Sequence, residues 1–282
     1  MKAGTARGFR DILPQEALAR ERITDEVRAC FSAHGYLPVE TPLLEDRSAL
    51  ERGGRLRDSP FQLFDTDGTL LVLRPDLTLP VARLVAGRVD AGSLPARFRY
   101  VAPVVREEPS LRGQPRQFTQ LGIELVGADG AASEVEVVEL LAEVLSRLEV
   151  PAWRIVFGSV TPLTALLANC APSDAFRERV LSLVHDSDLV TLDELVDATP
   201  TLKPSAVRAL HAIPRMNGGL EVIDRIDALL ADADVPVAER GCTELRALVA
   251  KVADLFGQGR ASFDFSIINS FDYYTGIIFK GY

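Results

Sequence analysis

The stretch Phe118-Thr-Gln-Leu-Gly-Ile-Glu-Leu-Val126 carries the most chemistry. Read as a strand, it puts Leu121, Ile123 and Leu125 on one face, ready to pack on helices, and Gln120, Gly122 and Glu124 on the other. A glycine between two polar side chains leaves room for a ligand to approach the backbone. A solvent-facing antiparallel sheet with a bulge at Gly122 would show the same pattern. Three other segments bear on the choice. Arg106 ends the preceding strand, ahead of Glu107-Glu108. Arg74-Pro-Asp-Leu-Thr78 sets the Asp76 carboxylate and the Thr78 hydroxyl at the mouth of a helix. Asp272-Tyr-Tyr-Thr-Gly276 supplies the phenols of Tyr273 and Tyr274. Each has an ordinary explanation: Asp76 as a helix cap, Arg106 with Glu108 as an exposed ion pair, the tyrosines as core residues with satisfied hydroxyls. Together they suit an amino acid. A forked arginine takes an α-carboxylate, Asp76 an α-ammonium, and Gln, Glu and Tyr a side chain that both donates and accepts.

These residues need a sheet with a helix at its edge, and the flanking sequence predicts one. Pro14 to Phe31 has the helical spacing of Ile23, Val27, Cys30 and Phe31, with Pro14 in the first turn and Gly35 as the stop. Tyr36 to Leu44 reads as extended, at an edge or bent by Pro38 and Pro42. Phe61 to Phe64 and Leu70 to Leu73 are short strands about an Asp67-Gly68 turn. Leu77 to Val85 is a helix; Arg97 to Val105 and Gln117 to Val126 are strands; Glu107 to Arg116 is a loop. Ser133 and Glu136 have capping-box spacing ahead of a helix carrying Val135, Val138, Leu141, Leu145 and Leu148. Arg154 to Gly158 is a strand. From Thr161 to about Phe256 the texture is helical, punctuated by Pro172, Pro200, Pro204 and Pro214, and strands return at Phe263 to Asn269 and Tyr273 to Tyr282. The fold class is α+β: a sheet core over 1–160, a helical insertion over 161–258, and final core strands over 259–282.

Composition excludes several roles. A chain of 282 residues with 47% hydrophobic and 25% charged residues can bury a sizeable core. Its net charge of -9 disfavours nucleic acid at long range. Arg97, Arg99, Arg106, Arg112 and Arg116 make the one dense basic run, and glutamates interrupt it. Cys30, Cys170 and Cys242 have no disulfide or zinc spacing, which points to a reducing compartment, by default the cytoplasm. No apolar run is long enough for a membrane span, and Met1 to Arg10 has no signal-peptide core. His34, His185 and His211 stand isolated, no P-loop occurs, and no serine or cysteine sits in a nucleophile motif, so no metal, cofactor or catalytic residue is expected.

The segments that carry the polar face also carry a resemblance. Arg99-Tyr-Val-Ala-Pro-Val-Val-Arg-Glu-Glu108 with Arg116-Gln-Phe-Thr-Gln-Leu-Gly-Ile-Glu124 resembles motif 2 of the class II histidyl-tRNA synthetases. Glu40-Thr-Pro-Leu-Leu-Glu45 resembles their motif 1, Leu73-Arg-Pro-Asp-Leu-Thr78 their L-R-P-E-G-T segment, and Phe271-Asp-Tyr-Tyr-Thr-Gly276 their histidine signature. The four matches run in order over nearly the whole chain. The resemblance implies a class II synthetase-like antiparallel sheet flanked by helices. It also implies a dimer through motif 1, and a histidine pocket made of Asp76, Thr78, Arg106, Gln120, Glu124, Tyr273 and Tyr274.

The departures from that pattern concern ATP. Asn269 stands where the synthetases place the arginine that helps activate the histidine carboxylate, and a neutral amide cannot replace a cation there. Gln114 stands at their loop arginine near the triphosphate. Their motif 3 and anticodon-binding domain would follow Tyr282, which reads as a truncated core with an open strand edge. One related family keeps the fold and loses these residues: the ATP phosphoribosyltransferase regulatory subunits of histidine biosynthesis. Membership implies a non-catalytic chain that forms a homodimer within a hetero-oligomer with the short-form catalytic subunit. Such a chain is required for full activity and transmits feedback by L-histidine. A catalytic-core fragment of a histidyl-tRNA synthetase is the alternative, and a paralogue that senses an amino acid or binds RNA is a third.

Overall fold

The first helix, α1 (Pro14–Ala33), begins with a proline, whose missing N–H costs nothing in a first turn. It ends in a Schellman motif: Gly35 takes φ +80°, its N–H bonds Ser32 O, and Tyr36 N–H bonds Phe31 O at 3.1 Å. The Phe31 and Tyr36 rings pack across that stop. This is a computed structural model, and it describes residues 4–52, 61–106, 115–257, 259–270 and 276–282. The chain divides into two compact units, Met1–Ser133 with Glu143–Glu149, and Glu134–Ala142 with Val150–Tyr282.

Two small sheets build the first unit. Strand β1 (Leu37–Pro38) runs parallel to β5 (Ala96–Val105), which pairs antiparallel with β6 (Gln117–Val126) over ten residues. Between β1 and β5 in sequence come β2 (Leu44–Asp46), α2 (Arg47–Glu51), β3 (Gln62–Phe64), β4 (Leu70–Leu73) and α3 (Thr78–Arg88). Strands β2, β4 and β3 form an antiparallel sheet in that order. The β3–β4 turn closes as its Asp-Gly pair predicts, with Gly68 at φ +86°. Arg74 stitches the unit together. The residue is 4% exposed, and its guanidinium donates to the carbonyls of Thr41, Pro42 and Pro103. Burial holds its pKa below the ordinary value, and nearby Glu45 opposes that shift. Glu45, equally buried, accepts from Arg83 at 2.9 Å.

Helix α4 (Ala131–Arg147) corrects one expectation. It starts two residues before Ser133, with Gly130 at φ +86° as its N-cap and no capping side chain. Ser133 Oγ donates instead to the Asp129 carbonyl, so the Ser133–Glu136 spacing makes no capping box. Two alanines ahead of the serine extend the helix at little cost, and that propensity outweighs the box.

In the second unit a four-stranded sheet is ordered β10 (Ile277–Gly281), β7 (Ile155–Ser159), β9 (Ala261–Asp264) and β8 (Asn217–Gly218). Helices α5 (Thr161–Cys170), α6 (Asp174–His185), α7 (Leu189–Asp197), α8 (Pro204–Ala212), α9 (Leu220–Asp232) and α10 (Cys242–Phe256) supply a core that includes Leu166, Val180, Leu192, Leu210, Ile226 and Leu248. Strands β9 and β10 fall in the same unit as these helices. The strand expected over Phe263 to Asn269 stops at Asp264. Residues Phe265–Ser270 form a 3-10 turn, whose start is tied by Ser266 N–H to the Asp264 carboxylate. A short apolar run fits either state, and here the aspartate cap decides. No helix among the described residues is long and apolar enough to cross a membrane.

Candidate amino-acid-binding site

The β5–β6 ladder sets the site. Its register pairs Phe98 with Glu124, Tyr100 with Gly122, and Ala102 with Gln120. These six share one face, since side chains alternate along each strand. Leu77 and Val81, at the start of α3, pack with Tyr100 and Val104 in one core cluster, with Phe98, Ala102 and Phe118 against it. The polar face is therefore roofed by the N-terminal turn of α3, and a face bathed in solvent is ruled out.

Gly122 carries the Tyr100 ring. A Cβ at Gly122 would come within 2.7 Å of Tyr100 Cε2 and closer still to Cζ and the hydroxyl. The bare backbone lets the ring lie across it, so that the phenol reaches the next residue on the same face. Tyr100 donates its O–H to Glu124 Oε1 at 3.2 Å. The Thr78 hydroxyl hydrogen-bonds within the same group, to Glu124 and Tyr100. Burial pushes the Glu124 carboxyl pKa up; the hydrogen bonds from Thr78 and Tyr100 oppose it, and the Asp76 charge adds to it. Burial likewise drives the Tyr100 phenol far up, with the Glu124 charge reinforcing it.

Asp76 sits at the mouth of α3, and both readings of it hold in part. Its Oδ1 accepts the Leu79 N–H at 3.2 Å, as a cap would. Burial still raises its pKa, against the bonds from Leu79 and Thr78 and the charge of Arg106. Arg106 is aimed by two contacts: its Nε donates to Pro75 O at 2.6 Å, and its guanidinium lies 5.2 Å over the Phe118 ring. Gln120 completes the floor. Its Oε1 is buried and has no hydrogen-bond partner among the described residues. Such an orphaned acceptor costs about 1–3 kcal/mol unless a donor arrives.

Five sequence-predicted residues, Asp76, Thr78, Arg106, Gln120 and Glu124, thus lie in one unit around the β5–β6 floor. Tyr273, Tyr274, Gln114 and the side chain of Asn269 lie outside the described residues. Tyr100 was missed. Its signal was present, because an aromatic directly opposite a strand glycine is a favoured pair, yet it became readable only with the register. Chemically, two buried carboxyls with raised pKa values and an unpaired amide oxygen make a receptor for a cationic ligand rich in N–H donors.

An antiparallel floor under a helix mouth, with flanking strands and helices in this order, defines a class II aminoacyl-tRNA synthetase-like core. The histidyl-tRNA synthetase family matches over residues 8–282. An ATP phosphoribosyltransferase regulatory subunit from Moorella thermoacetica is 31% identical over 98% of this chain and 70% of its own length. Another from Desulfitobacterium hafniense is 32% identical, with the same coverage of both chains. Among solved structures, an ATP phosphoribosyltransferase regulatory subunit/histidyl-tRNA synthetase from Bacillus halodurans superposes with a TM-score of 0.87 and 27% identity, over 100% of this chain and 73% of that one. The chain belongs to the histidyl-tRNA synthetase family and groups there with the ATP phosphoribosyltransferase regulatory subunits.

Proposed function

We propose that this chain is a non-catalytic subunit that binds L-histidine at the β5–β6 floor and regulates a short-form ATP phosphoribosyltransferase catalytic subunit. The buried Gln120–Tyr100–Glu124–Asp76 group is the observation that carries the ligand half of this reading. In the proposed complex Asp76 neutralises the ammonium and Arg106 takes the carboxylate. Glu124, Tyr100 and Gln120 meet the imidazole, whose N–H supplies the donor that Gln120 Oε1 lacks. Tyr273 and Tyr274 are proposed to complete the pocket. Asn269 in place of a cation supports a pocket kept for sensing and not for adenylation. The three free cysteines, Cys30, Cys170 and Cys242, suit a reducing compartment.

Reconstitution tests the proposal. The catalytic subunit's condensation of ATP with phosphoribosyl pyrophosphate is measured alone, with this chain, and with added histidine. The expected result is a rise in rate on adding the chain and a fall on adding histidine. A rate that ignores the chain overturns the regulatory half, and calorimetry without histidine binding overturns the sensor half. Histidine-dependent ATP–pyrophosphate exchange is expected to be absent; robust exchange would identify a synthetase core instead.

A further inference from the structure

Away from the β5–β6 floor, the C-terminal end of α1 and the end of α4 bring together three groups that the proposed regulation leaves unused. Cys30, His34 and Glu143 each offer one ligand atom, and those atoms all lie within 4.8 Å of one another. We infer that Cys30, His34 and Glu143 form a binding site for a zinc-type divalent metal ion, with the fourth coordination position open to solvent.

The geometry is held before any ion arrives. Cys30 and His34 are four residues apart, so they share one face of the helix end. The Schellman stop at Gly35 and Tyr36 fixes the backbone of His34, the capping residue. Glu143 is oriented from behind: Arg147 binds its Oε1 through Nε at 2.8 Å and Nη2 at 2.6 Å. That leaves Oε2 turned to His34 Nε2, at 2.8 Å. Outer contacts that orient a carboxylate in this way are a regular feature of metal sites.

Distances and donor types agree on the ion. Bonds of about 2.3 Å to sulfur and 2.0 Å to nitrogen or oxygen put tetrahedral ligand atoms about 3.3–3.5 Å apart. The His34–Glu143 contact of 2.8 Å opens by about 0.5 Å to reach this, and the Cys30 sulfur starts within 4.8 Å of both other atoms. Thiolate, imidazole and carboxylate together are a borderline-soft set that favours zinc over calcium or magnesium. On coordination the Cys30 thiol releases its proton to solvent, and His34 binds as the neutral tautomer that carries its N–H on Nδ1, so that the Nε2 lone pair now facing Glu143 is free for the metal. Burial, then the Glu143 charge, push the free Cys30 thiol up to about 11, with Arg147 opposing, and the metal's own charge reverses this on binding. Burial is graded in the right sense. Cys30 is fully buried, Glu143 is intermediate, and His34 is exposed, so the open position faces outward. No local spacing announces these three residues, because Glu143 is remote in sequence and one cysteine with one histidine makes no zinc signature.

Titration of the full chain with Co2+, followed by displacement with Zn2+, tests the site. One equivalent of Co2+ is expected, with a thiolate-to-cobalt charge-transfer band in the near ultraviolet that Zn2+ abolishes. Cys30→Ser removes the band. His34→Ala weakens the affinity by at least roughly tenfold, a loss that even outer contacts of metal sites produce. Cys170→Ser leaves both unchanged. A wild-type chain without the band overturns the inference, and so does affinity unaltered in His34→Ala. Should Cys30→Ser fail to fold by circular dichroism, the exposed His34→Ala variant decides alone.

Discussion

Two pairs of carboxylates in this chain have opposite fates. Asp76 and Glu124 lie at the β5–β6 floor, where burial dominates and raises both pKa values. Asp193 and Asp197 project from α7 toward His211 on α8, at 2.6 and 3.0 Å. Asp193 also feels desolvation first, but its bonds from His211 and Arg215 outweigh it and lower the pKa. Arg215 reaches it at 2.8 Å. The helical pair already has its cations; the floor pair has the Thr78 hydroxyl, the Tyr100 phenol, backbone N–H groups at the start of α3, and the charge of Arg106, whose Nε serves Pro75. Buried charge that its hydrogen bonds do not fully offset is a cost that folding alone does not reward, which is what a ligand site demands.

The largest effect that could break this contrast is Glu124→Gln. Histidine affinity should fall about 100-fold, or about 2.7 kcal/mol, on loss of a charged, desolvated partner. Thermal stability should hold or rise, since the removed carboxylate is penalised by burial. Calorimetry and melting curves on the same preparation check both. Unchanged histidine affinity would sink the pocket assignment. Acid should act in the same direction. The native state holds the Asp76 and Glu124 protons more tightly than the unfolded chain does. The destabilisation these groups cause above their ordinary carboxyl range is therefore relieved as pH falls, while their capacity to pair with a cation is lost. Histidine Kd should consequently weaken on acidification at a pH above that of an ordinary carboxyl titration.

A smaller effect tests the floor itself. Gly122→Ala would normally help a strand by about 0.5–1 kcal/mol. Here the added carbon meets the Tyr100 ring, and displacing a packed ring costs about 1–3 kcal/mol. The steric term is larger, so the variant should melt earlier and bind histidine less well. In a Tyr100→Leu background the penalty should shrink, which a double-mutant cycle reads directly. Equal penalties in both backgrounds would detach Gly122 from Tyr100.

How much of this was legible in the sequence depended on range. The alternation over Phe118 to Val126 and the Asp67-Gly68 turn are local signals, and both are realised. Asp76 and Thr78 were placed at a helix mouth because Pro75 and the apolar pattern after it mark one. The register that sets Tyr100 across from Gly122 relates two strands that are apart in sequence, and no local pattern encodes it. The capping box failed because two alanines extend α4 past the serine, a competition that spacing does not weigh. His211 passed as an ordinary helix residue since its partners lie on another helix, 14 and 18 positions away.

That histidine carries the smallest prediction. Its Nδ1 faces Asp193 and its Nε2 faces Asp197, so satisfying both carboxylates requires a proton on each ring nitrogen. Partial burial opposes that charge, but the two carboxylates outweigh it and raise the pKa above 6.5. A raised histidine pKa contributes stability that is fully present below the unfolded value and lost as pH rises through the folded one. The helical unit should therefore melt progressively earlier as pH rises from about 6.5 toward the alkaline side. The groups are partly exposed, so solvent screening limits the effect to about 1 kcal/mol or less. Asp197→Asn should shrink that slope, and NMR titration of the His211 ring should report a midpoint above the ordinary one. A midpoint below it would mean that burial governs here too, and the contrast between the two carboxylate pairs would collapse into one of degree.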